Sequence, residues 1–365
     1  MSQKSKIAFV ISSLNAGGAE RVVTNLANEL VNSYDITIIL LYKCMPFYNL
    51  NEKIDVTYCL ESYNPKPNIY QSLKIHFQLF STLLKILKEK KIDISIGFMS
   101  TSNIYLSLAS KINGKPCIVS ERIHPDHHQL SRLWHETRKI SYQFARILVV
   151  QTESIKIYFE SFITPEKIVI IKNPLAKELI EKKRCTGSKE KLILNVGRLD
   201  LQKNQDLLIR AFSNINNFDW KVILVGDGHL KSDYKHLINS LNLENQVSLI
   251  GNVNNIEDYY NRASIFVSTS RYEGFPNALT EAMYFGLPCI STDCPSGPSE
   301  IINSGINGFL ISVENQNQLE IRLKTLMEDE NLRQEFSRNA INSTTEFQPK
   351  VISTQWETLI NQCLN

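Results

Sequence analysis

Leu192-Ile193-Leu194-Asn195-Val196-Gly197-Arg198-Leu199-Asp200-Leu201-Gln202-Lys203-Asn204 lies just past the middle of a chain of 365 residues. Five mostly apolar residues of strand length run into a glycine, and an amphipathic stretch near 205–213 follows. That order is strand, tight turn, helix. The chain opens in the same way, with Ile7–Ile11, then Gly17-Gly18, then a helical pattern through about Leu30. Just before residue 192, the stretch Leu179–Lys191 is polar and charged with no apolar period, which marks it as a linker. The chain therefore divides into an N-terminal unit over 1–184 and a C-terminal unit over 185–350. The last helix, 351–365, is expected to pack back on the first unit.

Outward from that linker, short β-branched runs alternate with longer amphipathic stretches. Before it come strands at Ile36–Leu41, Val56–Cys59, Ile94–Phe98, Cys117–Ser120, Ile147–Val150 and Ile168–Ile171, with helices over Tyr70–Lys91 and from about Asn103. After it come strands at Lys221–Val225, Val247–Leu249, Ile265–Ser268 and Pro288–Ser291, helices near 230–241 and 277–285, and closing helices around 314–327, 330–342 and 351–363. Such alternation means βαβ units: the fold class is α/β, with doubly wound parallel sheets covered on both faces. Two Rossmann-like domains in tandem are expected to face each other across a ligand cleft at the carboxyl ends of their strands.

A hydrophobic content of 43% excludes a disordered chain. Charge is uneven, net +9 over residues 1–184 and net −6 over 185–365. The first unit thus suits an anionic partner, although a plainly solvated surface gives the same count. No apolar run approaches the ~20 residues of a membrane-spanning helix. Ile7–Ile11 is too short for a secretion signal, so a cytoplasmic location is expected. Seven scattered cysteines without a C-x-x-C pattern read as reduced thiols, neither a disulfide frame nor a zinc site.

Arg198 stands at the carboxyl end of its strand and Lys203 near the start of the next helix. Two such cations can clamp a diphosphate, Arg by its planar fork and Lys as a point charge; two solvated surface cations fit the spacing equally. Gly17-Gly18-Ala19-Glu20-Arg21 suits either a phosphate at a helix N-terminus or a simple turn. Gly226-Asp227-Gly228 also follows a strand, but Lys231 stands where a dinucleotide fingerprint needs its third glycine. A nicotinamide-dependent dehydrogenase is therefore a poor reading. Glu273-Gly274-Phe275-Pro276-Asn277-Ala278-Leu279-Thr280-Glu281 sets two carboxylates around a strand–helix junction among apolar residues. Carboxylates there are costly unless paired or bound to hydroxyls, as in sugar and ribose.

Taken in order, Gly17-Gly18-Ala19-Glu20-Arg21, Gly197-Arg198 with Lys203-Asn204, Gly226-Asp227-Gly228 and Glu273 with Glu281 resemble glycosyltransferase family 4 across nearly the whole chain. The pattern is most similar to bacterial members that extend lipid-linked oligosaccharides, N-acetylgalactosaminyltransferases and capsule or O-antigen relatives among them. The resemblance implies a GT-B fold, a nucleotide-sugar donor, retention at the anomeric carbon, and no metal or other cofactor. It implies that Arg198 and Lys203 bind the diphosphate of a UDP-sugar, and that Glu273, with backbone groups of Gly274, Phe275 and Asn277, contacts the transferred sugar. Glu281 would hold the ribose, the loop at Val253 the base, and Gly18 the diphosphate from the other domain. Gly17, Arg122 and His124 would meet the acceptor. Where many relatives have a histidine after the strand Cys117–Ser120, this chain has Arg122, and His124 comes two residues later. Asp-x-Asp, the metal-chelating pattern of other glycosyltransferases, is absent, which agrees with cations meeting the diphosphate charge.

Lys85, Lys88, Lys90 and Lys91 crowd the end of the helix Tyr70–Lys91, and Arg122–Arg146 is a second basic stretch. Either could meet an anionic membrane or an acceptor diphosphate, with the enzyme peripheral on the inner face of the cytoplasmic membrane; a core helix explains the lysines equally. Nucleic acid is not an expected partner. The expected activity is hexosyl or N-acetylhexosaminyl transfer to a lipid-linked glycan. A UDP-sugar 2-epimerase of similar architecture and a non-catalytic subunit are the alternatives.

Overall fold

Ile94–Phe98, Cys117–Ser120, Ile265–Ser268 and Cys289–Thr292 are buried at every position, as strands between two layers of helices must be. The computed structural model describes residues 4–15, 17–64, 68–127, 130–184, 189–215 and 219–364. Cys185, His128 and the centre of the expected linker lie outside them.

The first unit comprises Met1–Pro174 and Pro349–Asn365. In chain order its elements are β1 (Lys6–Ile11), α1 (Gly18–Leu30), β2 (Asp35–Tyr42), β3 (Asp55–Leu60), α2 (Ile69–Glu89), β4 (Ile94–Phe98), α3 (Ser100–Asn113), β5 (Cys117–Ser120), α4 (Arg132–Tyr142), β6 (Ile147–Val150), α5 (Glu153–Glu160) and β7 (Ile168–Ile170). The strands form one parallel sheet in the order β3-β2-β1-β4-β5-β6-β7. The direction of winding reverses between β1 and β4, so the loops leaving those two strands diverge and open a crevice at their carboxyl ends.

The second unit, Leu175–Gln348, contains α6 (Lys177–Glu181), β8 (Leu192–Val196), α7 (Gln205–Ser213), β9 (Lys221–Val225), α8 (Lys231–Ser240), β10 (Val247–Gly251), α9 (Ile256–Arg262), β11 (Ile265–Ser268), α10 (Asn277–Tyr284), β12 (Cys289–Thr292), β13 (Gly308–Ile311), α11 (Gln316–Glu328) and α12 (Glu330–Ser343). Its parallel sheet runs β10-β9-β8-β11-β12-β13. Here the reversal falls between β8 and β11. The loops that carry Arg198, Lys203 and Glu273 therefore leave adjacent strands at the switch point.

The unit boundary falls between Pro174 and Leu175, earlier than the expected 184. Leu175, Ala176 and Leu179 are buried in a core with Tyr260, Phe275 and Met283, and the Leu175 N–H donates to the Phe347 carbonyl at 2.8 Å. Glu181, Lys182, Arg184, Glu190 and Lys191 mark an exposed face there, not a division of the fold.

After α12 the chain returns to the first unit as α13 (Pro349–Leu364). Ile352, Trp356, Leu359, Ile360 and Cys363 are buried against the same core as β1 and β4. The Trp356 ring centre lies 6.0 Å from that of Phe98, while Ser33 donates to Glu357 at 2.8 Å and Tyr34 to Asn361 at 3.0 Å. Trp356→Ala should therefore cost about 3–5 kcal/mol of stability, since it empties a large, fully enclosed site. Denaturant unfolding checks this; a loss below about 1 kcal/mol would mean that the helix is not held there.

Candidate active site

The loop after β8 is organised by Asp200, which is largely buried. One of its oxygens, Oδ1, accepts the Lys203 N–H at 3.0 Å, and the other, Oδ2, pairs with Arg198 Nε at 2.8 Å. Gln205 donates to the Arg198 carbonyl at 3.0 Å, and the Thr269 hydroxyl to the Lys203 carbonyl at 2.9 Å. The backbone carrying both cations is thus tied to α7 on one side and to the end of β11 on the other. Their side chains differ. Lys203 is 23% exposed and its Nζ lies 2.6 Å from Glu273 Oε1, whereas the Arg198 side chain is 69% exposed.

Glu273 is buried midway along the loop between β11 and α10. Beyond Lys203, its Oε1 accepts the Ser270 hydroxyl at 2.6 Å. Gly274 and Phe275 follow, with the Gly274 carbonyl accepting from Ser296 at 3.1 Å. The Asn277 N–H turns inward to the Phe275 carbonyl at 3.0 Å. That donor, expected to face a sugar, is already used within the turn. Glu281, one helix face further on, is buried and accepts the Tyr260 hydroxyl at 3.1 Å. Tyr260 is itself stacked on Phe285 with ring centres 5.2 Å apart. Val253 lies half-buried in the loop after β10, beyond Gly251.

Gly226 and Gly228 have a purely local cause. A Cβ on Gly226 would sit 2.0 Å from the Gly197 carbonyl oxygen, and one on Gly228 would sit 2.2 Å from that of Leu199. Gly226 also has φ +141°, a conformation that other residues rarely adopt. These glycines let the β9 loop pass against the loop that bears Arg198.

In the first unit, Gly17 and Gly18 open α1 at the end of β1. The Gly17 carbonyl accepts from the Arg21 N–H at 3.1 Å and from the Tyr48 hydroxyl at 3.3 Å. The Glu20 carboxylate folds back over Gly17, occupying the space of a Cβ, and burial pushes its pKa above the usual carboxylate value.

Arg122 is not presented at the surface. Its guanidinium lies beside the neighbouring rings of Phe98 and Trp356, 5.0 and 5.8 Å from their centres, and Nη1 donates to Asn173 at 2.5 Å. Burial lowers its pKa. This packing ties β5 to α13, which corrects the expectation that the side chain reaches out to an acceptor. His124 is buried too; its Nδ1 accepts the Asp126 N–H at 3.4 Å, which leaves Nε2 to donate to Ser154 at 3.2 Å.

Residues 176–343 match the glycosyl transferases group 1 family, and residues 16–178 match glycosyltransferase family 4. A Campylobacter jejuni relative is 32% identical over 99% of both chains. The chain belongs to the family 4 and group 1 glycosyltransferases. That relative is an α-1,4-N-acetyl-D-galactosaminyltransferase acting on an undecaprenol-diphosphate-linked glycan. The amylovoran biosynthesis glycosyltransferase of Erwinia amylovora is 28% identical, over 98% of this chain and 99% of its own. Anabaena HepE, solved in complex with UDP, shares the GT-B fold, with a TM-score of 0.80 and 21% identity over 98% of this chain and 100% of that one. The glycosyltransferase reading thus stands over the epimerase alternative.

Three residues of this glycosyltransferase site escaped the sequence reading: Asp200, Ser270 and Tyr260. Asp200 alone left a signal, as a carboxylate spaced between Arg198 and Lys203. Ser270 and Tyr260 are small or aromatic residues in apolar surroundings, and only their contacts reveal them.

Proposed function

We propose that this glycosyltransferase moves a hexose or N-acetylhexosamine from a UDP-sugar to a lipid-linked glycan, with retention at the anomeric carbon. The observation that carries the reading is the Lys203–Glu273 pair at the switch point of the second sheet. It sets a cation for a diphosphate beside a carboxylate for a sugar hydroxyl, in a domain of the matching family. Arg198 would swing from Asp200 onto the diphosphate, Glu281 would take the ribose, and the loop at Val253 would face the base. As the C1–O bond to the diphosphate breaks, Lys203 and Arg198 would stabilise the departing charge, with no metal taking part. The leaving phosphate oxygen would accept the acceptor hydroxyl's proton on the same face. The test is transfer from a panel of UDP-sugars to an undecaprenol-diphosphate-linked glycan in EDTA, with the new linkage read by NMR. An α-linked product from an α-linked donor supports the reading. Activity lost in EDTA and restored by Mg²⁺ or Mn²⁺, or inversion, contradicts it.

The membrane contact proposed for the first unit moves from the lysines to the other end of α2. Leu79, Leu83 and Leu87 are buried, so the C-terminal half is a core helix. Lys85 pairs with Glu89 at 3.8 Å and Lys90 with Asp55 at 2.7 Å. In the second basic stretch Arg138 is buried as well, donating to the Tyr158 hydroxyl at 3.0 Å. By contrast Ile69, Tyr70, Leu73 and Phe77 are 83%, 78%, 66% and 72% exposed. The His76 ring packs 5.2 Å from that of Trp134, which brings exposed Leu133 and Arg132 of α4 alongside. A helix joining two parallel strands starts at their carboxyl edge, so this patch shares an edge with Gly17 and Gly18. A lipid surface presenting the acceptor suits apolar residues rimmed by Lys74 and Arg132. Leu73→Ser with Phe77→Ser should lower co-sedimentation with anionic liposomes about tenfold or more. Glutamine at the four lysines should change it little. The reverse ranking would return the contact to the lysine-rich end.

A further inference from the structure

We propose that Ser270 is a positioning residue for sugar recognition: by holding one oxygen of Glu273, it turns the other toward the transferred sugar. The proposal rests on the assignment of Glu273 to the donor sugar and goes beyond it.

Both partners of Glu273 bind the same atom. Lys203 Nζ and Ser270 Oγ each lie 2.6 Å from Oε1, and among the described residues Oε2 has no hydrogen-bond partner. A carboxylate has about four acceptor sites, so Oε2 keeps its full capacity for hydroxyl donors. The Glu273 side chain is 6% exposed, which leaves Oε2 open to the site but poorly hydrated, and a sugar hydroxyl can supply the donor it lacks.

Ser270 is built to do this. It is fully enclosed, and its carbonyl accepts the Thr292 hydroxyl at 2.6 Å, which fixes its backbone to β12. Its neighbour Thr269 holds the Lys203 backbone at 2.9 Å. Two consecutive hydroxyl residues at the end of β11 thus set the two halves of the pair, one through the lysine main chain and one through the glutamate side chain. Cys294 forms part of the wall, and burial, with the Glu273 charge adding to it, pushes its thiol up to about 12. It stays protonated and brings no charge.

The lysine cannot do this work alone. An ammonium has three donors on a flexible stem, and once a diphosphate binds it must share them. Ser270 has one donor and one short rotor, and its bond to Oε1 does not compete with the diphosphate. It is the partner that keeps Glu273 oriented while Lys203 turns to the leaving group.

The test compares UDP with the UDP-sugar turned over fastest among UDP-galactose, UDP-glucose and their N-acetyl forms. Hydrolysis without acceptor gives kcat/KM, and competition gives the inhibition constant of UDP. Ser270→Ala should lower kcat/KM for the UDP-sugar about tenfold while the UDP constant stays within about twofold. Ser270→Thr, which keeps the hydroxyl, should recover most of that loss. Glu273→Gln in parallel tests the underlying assignment and should show the same selectivity for the sugar-bearing ligand, with a larger loss. If Glu273→Gln shows it and Ser270→Ala behaves as wild type, the positioning role is wrong and the Glu273 assignment survives. If Ser270→Ala weakens UDP and UDP-sugar equally, the residue is merely structural and the proposal falls. If Glu273→Gln spares UDP-sugar turnover, or no UDP-sugar is turned over, the assignment and the proposal fall together.

Discussion

Lys203→Ala should lower sugar transfer by about 10²–10³-fold, the usual cost of removing one preorganised partner to charge that develops in a transition state. The amine sits 2.6 Å from Glu273 at the carboxyl end of β8 and is only 23% exposed, so solvent cannot easily replace it. The loss should appear in UDP affinity as well as in turnover, because UDP retains the diphosphate. It should survive correction for folding: a melting scan of the variant separates lost stability from lost chemistry, since the change leaves the buried Glu273 carboxylate with Ser270 alone. Turnover within a few-fold of wild type would remove Lys203 from the diphosphate.

Glu273→Gln should lower turnover of the UDP-sugar about a hundredfold and barely change UDP binding. The amide keeps the shape but discards the charge that fixes Lys203. It also puts an amide NH2, with two donors, where one of the acceptor oxygens stood, so either the Ser270 hydroxyl or the sugar hydroxyl meets the wrong polarity. The two variants therefore differ in kind. Lys203→Ala penalises every diphosphate-bearing ligand, and Glu273→Gln only those that carry the sugar. Steady-state kinetics with UDP as competing inhibitor reads both; equal losses for UDP and UDP-sugar in the glutamate variant would contradict its placement on the sugar.

Much of the fold was legible because parallel strands buried on both faces read as unbroken apolar runs. Ile94–Phe98 and Ile265–Ser268 stand out for that reason. Helix α4 did not, because it buries Arg138, Ser141 and Tyr142 and so shows no apolar period. Strand β13 does not show in the sequence because its four residues begin with Gly308, packed against the Cys289 carbonyl, in a stretch between Ser291 and Glu314 to which no element is assigned. The unit boundary was misplaced for a related reason: Leu175, Ala176 and Leu179 are too few to make a periodic signal, yet they fill a core.

The candidate site was legible where charge meets a strand end, as at Arg198, Lys203, Glu273 and Glu281. What the sequence could not show was pairing. Lys203 and Glu273 are 70 residues apart and meet only because β8 and β11 are neighbours in the sheet. Arg122 shows the converse. Its residue type promised a surface cation, but it is buried against two aromatic rings and Asn173, and a cation–π cluster spans positions no local pattern connects.

The most direct measurement is a crystal structure of the protein with UDP bound, grown in EDTA. The diphosphate should lie at the switch point of the second sheet, with Lys203 Nζ and the Arg198 guanidinium within hydrogen-bond distance of its oxygens and the ribose hydroxyls on Glu281. Arg198 should have left Asp200. A diphosphate bound away from Lys203, or UDP that binds only when a divalent metal bridges its phosphates, would contradict this assignment.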